Sequence, residues 1–212
     1  CNYLALLGWS PGDDLENITM KQLTEMFTVE KVHSSPARFD MKKLESINGD
    51  KIRALTIDEF LDWSLPFLTK AGVITGTADE IALVKLALPL IQERIVVLSE
   101  APDLLSFLFK PAKDIAIEDD ARAGLPANAA EIVRAAIDAV SAIADTQFKT
   151  EAIQAALQSK LIDGLELKPR VAFGPIRTAI SGRRISPPLF ESMEILGKAE
   201  SLARLEIAAT TL

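Results

Sequence analysis

Residues 131–144 read EIVRAAIDAVSAIA, and the spacing of their apolar positions decides the fold class. Ile132, Ala135, Ala136, Ala139, Val140 and Ile143 recur every three or four residues, the period of one buried helical face. The same rhythm runs outward in both directions. Downstream, residues 150–161 carry Ile153, Ala156, Leu157 and Leu161 behind Thr150, a residue type suited to an N-cap. Two further helices, over 188–196 and 198–210, are expected on either side of Gly197. Upstream, residues 57–70 carry Phe60, Leu61, Trp63, Leu65, Phe67 and Leu68 behind Thr56. Residues 78–98 predict one long apolar helix, kinked at Pro89. Residues 2–7 are the end of a short apolar helix closed by Gly8. Ser35-Pro36 opens a segment with Phe39, Lys43, Ile47 and Ile52 on one face, which Asn48-Gly49 interrupts as a turn or helix end. Strand-like alternation is nearly absent, with Phe27-Thr28-Val29 the best short candidate. The expected class is all-α, a helical bundle or cage. Gly72 and Gly76 predict a boundary near 70–77, and Pro111, Gly124 and Pro126 a weaker break within 110–127.

Composition narrows the function. The chain has 212 residues, 49% hydrophobic and 25% charged, enough to bury a sizeable core. Its longest apolar runs are broken by Lys85, Pro89 and Glu93, well short of the ~20 residues that span a bilayer. The first ten residues lack the basic start and cleavage pattern of a signal peptide. A soluble cytoplasmic protein with no membrane partner is expected. Cys1 is the only cysteine and His33 the only histidine, which excludes intrachain disulfides and multi-His or cysteine metal sites. No glycine-rich phosphate loop occurs, and Asp119-Asp120 lacks metal-ligand spacing. Cys1 has no neighbouring base in sequence to activate it as a nucleophile. The residues assemble no active site and favour a binding module. Trp9, Trp63 and Tyr3 sit in apolar stretches and are expected in the core.

The net charge of −7 argues against simple polyanion binding, yet it is unevenly spread. Within 160–184, Lys160, Lys168, Arg170, Arg177, Arg183 and Arg184 stand against only Asp163 and Glu166. A basic stretch on an acidic protein can hold nucleic acid while the remainder repels unspecific encounters. The competing reading is a helical protein–protein adaptor built on the Ala/Leu-rich helices 129–144 and 150–161.

Four segments carry more than class. NYLALLGWS (2–10), SSPARFDMKKLESINGDKIRAL (34–55), LIDGLELKPRVAFGPIRTAISG (161–182) and SPPLFESMEILGK (186–198) resemble, in that order, the C-terminal half of bacterial glutamyl-tRNA synthetases. The resemblance implies a tRNA stem-contact region over 1–70 and an α-helical anticodon-binding region over 71–212. It implies that ATP and magnesium belong to a Rossmann catalytic domain, whose His-x-Gly-His and Lys-x-Ser-Lys-type motifs are not in this sequence. No cofactor is then expected here, Cys1 looks like a truncation point, and the chain alone should not aminoacylate. The implied partner is tRNA-Glu, with tRNA-Gln left open as a second. DNA is not expected as a ligand, and a monomer is expected.

Carried onto matching positions, the resemblance implies anticodon contacts at Arg177, Ser186, Pro187 and Leu189, with Arg94 reading the third base. Lys160, Lys168, Arg170, Arg183 and Arg184 are then expected on phosphates, where they fix register. Ser35, Arg38, Lys42, Lys43 and Arg53 are expected near the tRNA stem. The Ser186-Pro187-Pro188 corner should be extended before Pro188, which becomes the first helical residue with Pro187 as its cap. Arg177 could instead pair with Glu191 or Glu194 on the surface.

Overall fold

The computed structural model describes residues 1–12, 15–33 and 38–212, and among them every regular element is helical. Phe27-Thr28-Val29 forms no strand; a single bridge joins Trp9 to Val32. In chain order the α-helices are α1 (Asn2–Leu6), α2 (Met20–Met26), α3 (Met41–Arg53), α4 (Ile57–Lys70), α5 (Ala78–Ala87) and α6 (Ala101–Leu105). They continue with α7 (Asp119–Ala123), α8 (Ala129–Ser141), α9 (Thr150–Leu157), α10 (Pro169–Ser181), α11 (Leu189–Leu196) and α12 (Lys198–Thr211).

The 131–144 stripe lies on α8 as its spacing requires. Ile132, Val133, Ala136 and Val140 are buried, and α8 packs along α12 and against α10. This interior is continuous from Ile52 and α4 through α5, α6, α8, α9 and α10 to Ala209. A smaller cluster of Trp9, Ile18 and Leu23 holds the N-terminal helices.

Capping boxes fix the starts of α2, α4 and α5, the first through Thr19 and Gln22. Thr56 accepts from Glu59 N and Glu59 Oε2 accepts from Thr56 N at 2.8 Å; Thr77 and Glu80 do the same for α5. Several other expectations are corrected. α3 runs unbroken through Asn48-Gly49, because tertiary contacts decide there: Asn48 Nδ2 donates to the Val96 carbonyl at 2.5 Å. A Cβ at Gly49 would crowd Val96 and Arg53, so glycine is present for close packing. Phe39 precedes this helix, half-exposed and edge-on to Tyr3 at 5.0 Å. The long 78–98 helix is absent. Pro89 has no N–H to continue the ladder, and the chain tightens into a 3-10 turn over Leu88–Leu90. Pro66 by contrast sits inside α4 on an exposed face, where water can serve the orphaned carbonyl. Thr150 is the first residue of α9 with Lys149 at the cap; its hydroxyl donates to Glu194 Oε2 at 2.6 Å. A π-helical turn over Gln158–Asp163 follows α9. Tyr3 and Trp9 are buried as expected, but Trp63 is 60% exposed, on the outer face of α4.

Candidate nucleic-acid interface

The site is built around α10. Pro169 occupies its first turn and Gly182 ends it at φ 74°, a left-handed conformation that suits glycine. Arg170, Phe173, Gly174 and Arg177 follow at three-to-four spacing, so they share one face. After Gly182 the chain turns through Arg183, Arg184 and Ile185 into the Ser-Pro-Pro corner and α11.

That corner is held from beneath. Arg177 Nη1 donates to Ser186 Oγ and to the Pro187 carbonyl, each at 2.8 Å, and lies 3.3 Å from the Ser186 carbonyl. Arg94 Nη1 reaches the same Ser186 carbonyl at 3.2 Å. Ser186, Pro187 and Leu189 are buried, and the Ser186 hydroxyl donates to the Pro187 carbonyl at 3.1 Å. Pro188, not Pro187, is the cap of α11, and Leu189 is its first residue. The two prolines push Ser186 and Pro187 out of the helical region, and Pro188, at φ −50° and ψ 132°, extends that stretch by one residue beyond what this rule requires. No side chain caps this helix start.

Burial lowers the Arg177 pKa from its ordinary value; Arg94 nearby pushes the same way, and Glu191 opposes both. Arginine starts so high that the guanidinium stays charged at neutral pH. Neither Glu191 nor Glu194 forms an ion pair with it among the described residues, and Glu194 is engaged by Thr150 and Lys149. Arg177 Nε and Nη2 have no hydrogen-bond partner among the described residues. One edge of the fork holds the corner and the other is open.

Two clefts flank this arrangement and share Phe173 and Arg177. The smaller, of about 370 Å³, is walled by Arg94, Gln154, Pro188, Leu189, Phe190 and Glu191. The larger, of about 690 Å³, is walled by Arg170, Arg184, Gly174, Leu125, Pro126 and Ile185 among others. Phe173 and Phe190 meet edge to face at 5.3 Å between the clefts.

The expected residues separate into groups. Arg94, Arg177 and Leu189 line the smaller cleft, and Arg170 and Arg184 the larger; Ser186 and Pro187, expected on bases, line neither, because they are buried with their oxygens turned to Arg177 and Arg94. Arg183 is tied down by Glu118 at 2.7 Å and by the Asp103 carbonyl. Lys160 stands apart, 3.4 Å from Asp138 of α8, and Lys168 is exposed at the cap of α10. In the N-terminal region Lys43 pairs with Glu16 and Arg53 with Asp50, each at 2.6 Å, while Arg38 and Lys42 are exposed. Ser35 lies outside the described residues. Sequence reasoning missed Phe173, Phe190, Gln154 and Glu191. The signal for Phe173 was its position four residues before Arg177, one helical turn away.

A family profile described as the anticodon binding domain matches residues 57–209. The chain is 51% identical to a glutamate–tRNA ligase of Leifsonia xyli over 206 residues, covering 96% of this chain and 42% of the relative. It is 54% identical to one of an Arthrobacter species, covering 96% and 40%. The chain thus spans about two fifths of the length of these relatives. A solved glutamate tRNA ligase from Elizabethkingia meningosepticum shares the fold, with TM-score 0.81 at 23% identity over all of this chain and 40% of that one. With its profile matched over most of the length, the chain belongs to the anticodon binding domain family, in the form found in the C-terminal part of glutamate–tRNA ligases.

Proposed function

We propose that this chain grips tRNA for glutamate–tRNA ligation, holding unpaired anticodon bases at the smaller cleft. One observation carries the reading: Arg177 presents an unused guanidinium edge beside Arg94 and two phenylalanine rings, on a corner already braced by its other edge. Planar guanidinium forks and aromatic faces are the groups that read and stack splayed RNA bases. The buried Ser186 and Pro187 support this by shaping and bracing the corner, and Leu189 by anchoring it. Arg38, Lys42, Lys43 and Arg53, with Ser35, are assigned to the stem, and Lys160, Lys168 and Arg183 to nearby backbone phosphates. The division into a stem-contact region, 1–70, and an anticodon region, 71–212, belongs to the same proposal. So do tRNA-Glu as the ligand, a monomer acting in the cytoplasm, and ligation chemistry performed outside these residues.

The test is binding of labelled tRNA-Glu at low salt, compared with an unrelated tRNA. Arg177→Ala should weaken tRNA-Glu about tenfold or more, within the ~1–3 kcal/mol of one stacked or forked base contact. Equal binding of both tRNAs would refute the reading.

A further inference from the structure

The larger cleft on the other flank of α10 has no role in the reading above, beyond the phosphate contacts that the resemblance implies for Arg170 and Arg184. We infer that it is a second nucleotide subsite, taking one unpaired base that flanks the anticodon in the same RNA loop. The inference rests on the proposed function and extends it to a separate cavity.

Its volume of about 690 Å³ lies within the ~300–1,000 Å³ usual for small-ligand sites. Its walls join an apolar surface, from Leu125, Pro126, Val171, Phe173 and Ile185, to three arginines and no carboxylate among the described residues. Ile185 is 74% exposed at the mouth. Arg170 and Arg184 make no ion pair or side-chain hydrogen bond among the described residues, in contrast to Arg53, Arg183 and Arg204. Unpaired cations over an apolar floor complement a base with its phosphates and mismatch an uncharged or cationic ligand.

Gly174 is the second, independent observation. It sits in the middle of α10, where glycine is the poorest ordinary helix former. Its φ is not positive, so the backbone does not require it. A Cβ there would meet nothing within 4 Å, so packing does not require it either, unlike Gly49. The following Pro175 disfavours a Cβ on its predecessor in a helix. Yet Leu65 precedes Pro66 inside α4, so this chain accommodates a full side chain at such a position. What remains is the space: a side chain at 174 would stand in the cleft, where glycine lets a flat ligand approach the helix backbone.

The test uses the full chain and a labelled anticodon stem-loop RNA of tRNA-Glu, read by fluorescence anisotropy. Gly174→Leu fills the cleft from α10 with the residue α4 already tolerates before proline, and Leu125→Trp fills it from the opposite wall. Each should weaken binding about fivefold or more, the lower range for losing one base stack, at an unchanged melting temperature. Removing the base from one loop nucleotide beside the anticodon should weaken wild type equally and leave Gly174→Leu no weaker. If both variants bind as wild type while Arg177→Ala is weakened, the subsite is refuted and the function stands. If wild type prefers this stem-loop to no unrelated hairpin, the function falls and the subsite with it. Should Gly174→Leu not fold, Leu125→Trp and the abasic RNAs decide.

Discussion

Arg204 is 1% exposed, and its guanidinium serves Glu200 and the carbonyls of Ile180, Phe107 and Lys110, at 2.6–3.0 Å, with the Phe107 ring 6.0 Å below. It ties the end of α10 to the turn after α6 and to α12. Arg204→Met would leave three carbonyls and a carboxylate without their donor, and should destabilise the fold by about 3 kcal/mol or more. Urea unfolding measures this. Arg177 differs, because only one edge of its fork is engaged. Arg177→Lys keeps a charge without the planar fork, so RNA affinity should fall well below wild type while the urea midpoint changes little. Neither role could be read from spacing alone. Arg204 with Glu200 has the i,i+4 pattern of an exposed surface pair, and only tertiary packing buries it. Ser186 and Pro187 were legible as a corner, but the partners of their polar atoms lay elsewhere in the chain, at Arg177 of α10 and at Arg94.

At the scale of elements, α5 begins on an unusually well-served carboxylate. Glu80 accepts from the backbone and hydroxyl groups of Thr75 and Thr77 and from Gly76 N, and these donors lower its pKa from 4.5 to about 2. A depressed carboxylate stabilises the fold above its unfolded pKa and loses that contribution as pH falls through the folded value. The melting temperature should therefore drop between pH 4.5 and about 2, and Glu80→Gln should flatten that part of the profile. At the far end of α10, a Cβ on Gly182 would collide with the Ala116 carbonyl oxygen in a left-handed conformation. Gly182→Ala should cost more than the ~1–2 kcal/mol of that conformation alone, seen as a lower unfolding midpoint. Neither cap was read from the sequence, whereas the 131–144 stripe marked its own helix. The failures cluster where local rules met tertiary contacts: Asn48-Gly49, whose amide is used across the fold, and Pro89, whose turn buries Leu88 and Ile91.

For the whole molecule the acidic net charge conceals a basic wall around α10, so affinity should depend steeply on salt. Each phosphate contact on a single strand adds about 0.7 to the slope of log K against log salt. Arg170→Ala and Arg184→Ala should each flatten the slope by about that amount, measured between low and moderate salt. Sequence alone located this stretch but could not show that α10 divides it into two clefts, because volume is a property of the packed helices. The bonds from Arg177 and Arg94 to the Ser186–Pro187 corner are made entirely within the chain, so the corner needs no RNA atom to hold its shape. On the proposed function, the conformational work of recognition would fall on the RNA, whose loop would have to unstack to present its bases. Association should then be gated by the spontaneous opening of the RNA loop, and changes that loosen that loop should speed capture without altering any protein contact.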